Sequence, residues 1–310
     1  MTQRYAGLCE SPLDSARRIA SASPDNLSYT MIIIAEILFC CGEYRAALQL
    51  WQHLTKQLKL LDLTDINNYC TVRIADCHCA LGDHGKAIDI LEHIPKISYP
   101  VTLSLGCSYM NTHNFNEAES SFIRALQIEH NAASADTVTD YYGNPRFAHI
   151  DKYDQVDLIG AVSPEQRLSM ITNSSPSIID IINKLGEVYS LKKQYTRANI
   201  YYDRTLQFIY ELYGEGAAVL PAARALYNQG LNYHHMNRYS QAHRCYTEAL
   251  AVQREMSQGA ASQGIANTLR QQGGNYNAMK QYNIADHCYS EALGIYRDIS
   301  RGVASQNVAH

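Results

Sequence analysis

What most limits the fold of this chain is its self-similarity. Aligning ALYNQGLNYHHMNRYSQAHRCYTEAL with TLRQQGGNYNAMKQYNIADHCYSEAL superposes Gly230 on Gly273, Tyr233 on Tyr276, Tyr239 on Tyr282, Ala242 on Ala285, Cys245 on Cys288, Tyr246 on Tyr289 and Ala249 on Ala292, a step of 43 residues. Gly186, Tyr189, Tyr195, Ala198, Tyr202 and Thr205 hold the same offsets one unit earlier, at a step of 44. A period of this length is the signature of a stacked repeat architecture. The offsets read as two helices and a turn. Spacings of three and four put Ala242, Tyr246 and Ala249 on one helical face, where the alanines let neighbouring backbones approach and the aromatic fills the groove between them.

Weaker copies lie upstream. Gly106, Tyr109, Phe115, Ala118, Phe122 and Ala125 form a nearly complete unit, followed by two degenerate ones: Ala75, Ala87 and Leu91, and Ala35, Tyr44, Ala47 and Trp51. The small-large-small pattern resembles the tetratricopeptide repeat, although 43 or 44 residues exceeds that family's usual period of about 34 and implies longer helices or loops. The expected fold class is therefore all-α, an α-α superhelix (a tetratricopeptide-repeat solenoid) in two arrays. We expect a polar N-terminal segment at 1–25, with a short helix near Asp14 to Ala22, and a first array of three repeats at 26–131. A connecting segment rich in Pro and Gly follows at 132–177, with a short helix from Glu165 to Met170; a second array of three long repeats occupies 178–300 and a tail 301–310. Only that tail follows the last pair, so we expect either that another subunit covers Tyr289 and its neighbours or that the product is shortened or divergent.

Composition narrows the partners. Twenty-six basic against 30 acidic residues leave a net charge of −4, which gives no electrostatic footprint for nucleic acid or anionic lipid. The longest apolar stretch, Met31 to Cys41, is interrupted by Glu36 and falls well short of the roughly 20 residues a membrane helix needs. No secretory signal is visible in the first residues, and nine scattered cysteines suit a reducing compartment. The expectation is an intracellular protein, in the cytoplasm or nucleus, that binds other proteins or peptides.

The first helices of such pairs line one face, and their residues not used in packing are the candidate contacts. In the first array these are Ile32, Ile33, Phe39, Val72, Leu103 and Met110, apolar enough to predict burial in a homodimer unless they are ordinary core. In the second they are Arg224, Tyr227, Asn228, His235, Arg270, Gln271 and Asn277. Amides pair with the main chain of an extended peptide and arginines favour carboxylates, so this set predicts a peptide-binding groove.

No catalytic constellation supports an enzyme. The chain has no GxxxxGK, HExxH, GxSxG or CxxC motif. Cys77-His78-Cys79, His243 with Cys245 and His287 with Cys288 lack zinc-finger spacing, so no metal or cofactor is implied. A nucleophilic role for Cys77 or Cys79 would require a thiol of lowered pKa. Four Ser-Pro pairs, at Ser11, Ser23, Ser163 and Ser175, read as turn initiators or phosphorylation switches outside the repeats.

Two further resemblances refine this. IAEILFCCGEYRAAL, IADCHCALGDHGKAIDILEHIP and the LGCSYM unit make residues 28–135 similar to the N-terminal region of the seventh-subunit family of the anaphase-promoting complex. That likeness implies a non-catalytic structural subunit of a cell-cycle ubiquitin ligase that homodimerises through its N-terminal repeats. ELYGEGAAVLPAARALYNQGLNY, from Glu211 to Tyr233, resembles the kinesin light chain family. Its cargo-contacting asparagine maps to Asn228, with Gln271 and Lys184 at the matching positions of the next and previous units. The ligase-subunit reading is the favoured expectation and a cargo-peptide adaptor the alternative.

Overall fold

The computed structural model describes residues 26–60, 64–95, 98–134, 175–214, 216–258 and 260–308, and among these every regular element is a helix. The chain divides into two compact units, residues 1–167 with 176–181, and residues 168–175 with 182–310. Six helices precede residue 135: α1 (Asn26–Cys40), α2 (Tyr44–Leu60), α3 (Thr64–Ala80), α4 (His84–Glu92), α5 (Tyr99–Asn111) and α6 (Phe115–Ser134). Six follow residue 175: α7 (Pro176–Leu191), α8 (Tyr195–Tyr213), α9 (Leu220–His235), α10 (Tyr239–Ser257), α11 (Gln263–Ala278) and α12 (Tyr282–Val308). The expected short helices at 14–22 and 165–170, and the Ser-Pro pairs at Ser11, Ser23 and Ser163, lie outside the described residues. Ser175 directly precedes Pro176, which opens α7, where a missing N–H costs nothing.

One turn closes all six pairs. The residue two before each second helix is left-handed: Gly42, Gly82, His113, Lys193, Asn237 and Lys280, with φ between 58 and 84°. The next amide reaches back to the first helix, as in Glu43 N–H to Leu38 O and Gln281 N–H to Tyr276 O, both 2.9 Å. This is the hydrogen-bond pattern of a Schellman C-cap. It satisfies carbonyls at the end of the first helix and turns the chain directly into the second.

Within a pair, the two helices nest through a small residue and an aromatic. The Phe122, Tyr202 and Tyr246 rings are fully buried and lie on Gly106, Gly186 and Gly230. In the first pair the same place is taken by Ala35 and Trp51, buried with Ile32, Leu54, Leu58, Tyr69 and Cys70 in one cluster. Between pairs within a unit, α3, α5, α9 and α11 pack backward with the residues one before and two after their small residue, as Ile74 and Cys77 of α3 do in the Trp51 cluster. In α5 these are Leu105 and Ser108, whose Oγ is 3.0 Å from Cys79 Sγ. In α9 and α11 they are Gln229 with Asn232 and Gln272 with Asn275, all buried. Gln229 Nε2 donates to Asp203 Oδ1 at 2.6 Å, Asn232 Nδ2 to Asn199 Oδ1 at 2.8 Å and Gln272 Nε2 to Thr247 Oγ1 at 3.1 Å. The pairs of the second unit are thus joined by a ladder of buried amides, each with its partner satisfied.

Candidate peptide-binding face

The candidate contacts come from the remaining stripe of each first helix. Relative to the small residue, the positions two before and one after it are Ile33 and Glu36 in α1, Arg73 and Asp76 in α3, Ser104 and Cys107 in α5, Lys184 and Glu187 in α7, Asn228 and Leu231 in α9, and Gln271 and Gly274 in α11. The two units use this stripe differently.

In the first unit it is closed by an ion network. Arg73 donates to both carboxylate oxygens of buried Glu36, Nε to Oε1 at 2.6 Å and Nη2 to Oε2 at 2.7 Å. Tyr69 O–H also donates to Glu36 Oε1, at 2.6 Å. Arg73 Nη1 continues to Asp76 Oδ2 at 2.7 Å, and Ser104 O–H donates to Asp76 Oδ1 at 2.8 Å, so the chain of bonds runs from α1 through α3 to α5. The Arg73 guanidinium also lies 4.2 Å from the centre of the Phe39 ring. Two of the residues assigned to self-association are corrected by this packing: Ile32 and Val72 are buried in the unit's own core, Ile32 in the Trp51 cluster and Val72 against Ala75, Ala87 and Leu91. Ile33, Phe39, Leu103 and Met110 are half-buried, whereas Ile34 and Ile37, which the sequence pattern did not single out, are exposed on α1.

In the second unit the same stripe is polar and partly open. Lys184 Nζ lies 3.0 Å from Glu187 Oε2, and Glu187 Oε1 lies 4.0 Å from Arg224 Nε, which ties α7 to α9. Arg224, Tyr227, Asn228 and Gln271 are half-buried, and His235, Arg270 and Asn277 are exposed. Tyr227 packs its ring 6.3 Å from that of Tyr246, and His235 stacks on Tyr195 at 5.4 Å. Burial, and then the neighbouring His234, holds the His235 imidazole below its ordinary pKa. Asn228 is also hydrogen-bonded to the buried Tyr202 hydroxyl, which Ser190 Oγ approaches at 3.3 Å. Tyr246, at the equivalent place one pair later, is buried with no hydrogen bond to its hydroxyl among the described residues. Asn183 Oδ1 on α7, at the offset of Tyr227, is likewise buried with no hydrogen bond among the described residues.

The thiols point away from covalent chemistry. Cys77 is fully buried and its pKa is pushed up to about 12, first by desolvation, and burial likewise raises Cys79. A nucleophilic cysteine needs the opposite shift. No group of three or more His, Cys, Asp or Glu able to hold a metal ion occurs among the described residues, and none of their helices is long and apolar enough to cross a membrane.

Comparisons with known proteins agree with this architecture. Residues 177–255, spanning α7 to α10, match the tetratricopeptide repeat family. No curated protein matches the chain in sequence. Among solved structures, BtubC (BKLC) from P. vanneervenii is similar at 16% identity over 82% of this chain and 90% of its own, with a TM-score of 0.54. NprR in complex with its cognate peptide NprX is similar at 13% identity over 88% of this chain and 67% of its own, TM-score 0.55. Rap protein complexed with Competence and Sporulation Factor gives 16% identity, the same coverages and a TM-score of 0.52. The fold is an all-α tetratricopeptide-repeat solenoid, a class whose usual work is to bind other proteins.

Proposed function

We propose that this chain is a non-catalytic interaction scaffold that holds an extended acidic segment of a partner protein along α9 and α11, as a cargo or peptide adaptor does. One observation carries the reading. The stripe that an ion network seals in the first unit is left half-open in the second and lined there by Asn228, Gln271, Arg224 and Arg270. Amide side chains match the donors and acceptors of an extended main chain, and the guanidinium forks match carboxylates. Rigid helices present these groups without a large ordering cost on binding. The solved complex of NprR with its cognate peptide shows that a chain of this fold can hold a peptide, which supports the same use here. The test is selection of an acidic peptide library on the immobilised full-length chain. Peptides rich in Asp and Glu are expected to be enriched, and Arg270→Glu to weaken the selected peptide by about tenfold or more, while Arg297→Glu on α12 leaves it unchanged. No enrichment, or equal loss in both variants, would contradict the reading.

A second reading, a structural subunit of the anaphase-promoting-complex type that self-associates through its first unit, draws on the likeness over residues 28–135 and on the neighbouring exposed side chains Ile34 and Ile37. It requires a dimer mass in light scattering that Ile37→Asp converts to a monomer. A monomer across the accessible concentration range removes it.

A further inference from the structure

Among the described residues, α12 carries on an exposed face a surface that the chain buries on α8 and α10. In the second unit each second helix is covered by the first helix of the next pair. On α10 the covered stripe is Tyr239, His243, Thr247 and Leu250: Asn275 Nδ2 donates to Tyr239 O at 2.9 Å, Tyr276 O–H lies 3.1 Å from His243 Nδ1, and Leu250 packs with Ile265 and Leu269. On α8 the corresponding acceptors are Asn199 and Asp203, which take the amides of Asn232 and Gln229. One repeat further on, α12 carries Tyr282, Asp286, Ser290 and Leu293 at the same offsets, spaced three to four apart on one face. Leu250 is 5% exposed and Leu293 48%; Tyr246 is 0% exposed and Tyr289 39%; Tyr282 reaches 62%.

We propose that this face is a docking site for an amphipathic helix of a partner protein bearing Gln and Asn three residues apart, with a small residue between them. The two interfaces already built in this chain define that chemistry. Both covering helices read Gln-Gly-x-Asn: Gln229 and Asn232 donate to Asp203 and Asn199, the equivalents of Ser290 and Asp286, while Gln272 donates to Thr247, the equivalent of Ser290, and Asn275 to the Tyr239 main-chain carbonyl. Two acceptors flanked by an exposed Leu and two exposed Tyr reproduce the mixed apolar and amide-accepting surface that α8 and α10 present. This surface is separate from the peptide face on α9 and α11, so each stands or falls without the other.

A side-chain-stapled helical peptide with the sequence of residues 263–278 serves as the probe, titrated against the full-length chain by fluorescence anisotropy. Saturable binding is expected, lost in Leu293→Asp, at a position 48% exposed and so outside the core, and weakened roughly tenfold when both amides of the probe are replaced by alanine. Hydrogen exchange should slow along 282–293 and not along α8. Three results would overturn the proposal: no saturable binding up to about 1 mM, equal binding by the Leu293→Asp variant, or a dimer of the chain itself that Leu293→Asp splits, which would give the face to a second copy.

Discussion

At the scale of single residues, the repeat rests on a glycine and a ring. A Cβ added at Gly230 would fall 2.5 Å from Tyr246 Cε1, and one at Gly273 would fall 2.8 Å from the matching atom of Tyr289. Tyr246 is enclosed and cannot retreat, whereas Tyr289 is half-exposed and can. Overpacking a closed site costs about 1–3 kcal/mol, against about 1 kcal/mol gained when alanine replaces glycine within a helix. Gly230→Ala should therefore destabilise the second unit by about 1–2 kcal/mol and Gly273→Ala by less, read as shifts in the urea midpoint. Gly294→Ala, whose Cβ would meet nothing within 4 Å, should stabilise by up to about 1 kcal/mol. Equal effects at 230 and 294 would contradict this packing. The recurrence of Gly230 and Tyr246 at fixed offsets is legible in sequence because both fall within one repeat, but that the ring lies on the glycine appears only once the two helices are packed.

At the scale of elements, the first unit is held by a bond network that no pattern announced. In the sequence Glu36 reads only as an interruption of an apolar stretch. In the fold it is the centre of a cluster that joins α1, α3 and α5, with partners 33 and 37 residues away. The pairing leaves no periodic trace, because Arg73 meets Glu36 by opposite charge and no basic residue recurs at its offset in the neighbouring first helices α1 and α5. The same limit applies to Ile32, which the sequence leaves open between a contact face and ordinary core: α1 is apolar nearly all round, and only the position of α2 and α3 tells its core side from the Ile34 and Ile37 side. Removing one member of a buried ion pair strands the other, so Glu36→Ala should cost about 3 kcal/mol in thermal or denaturant melts. Replacing both, Glu36→Leu with Arg73→Met, should recover most of that loss, since the pair itself contributes little net stability. A double variant no more stable than Glu36→Ala would show that the network contributes more than charge neutralisation.

At the scale of the whole molecule, helix identity and the pairing of neighbours are readable from spacing alone, whereas the left-handed turn residues, His113, Lys193, Asn237 and Lys280 among them, are not. Which stripe remains open is only partly readable. The polar set on α9 and α11 follows from offsets relative to Gly230 and Gly273, yet the tie from Asn228 to Tyr202 and the unpartnered hydroxyl of Tyr246 appear only once the helices are packed. The same packing separates the two units: in the first the stripe is bridged from α1 to α5 by Glu36, Arg73, Asp76 and Ser104, whereas in the second Lys184, Glu187 and Arg224 pair across α7 and α9 and Arg270 and Asn277 on α11 are exposed. The most direct test is hydrogen exchange of the full-length chain with and without an acidic peptide selected on it, resolved along the sequence. Slowed exchange confined to α9 and α11 is the predicted result. Protection falling instead on α8 and α10, or on α1 to α5, would contradict the central claim that the first helices of the second unit are the binding face.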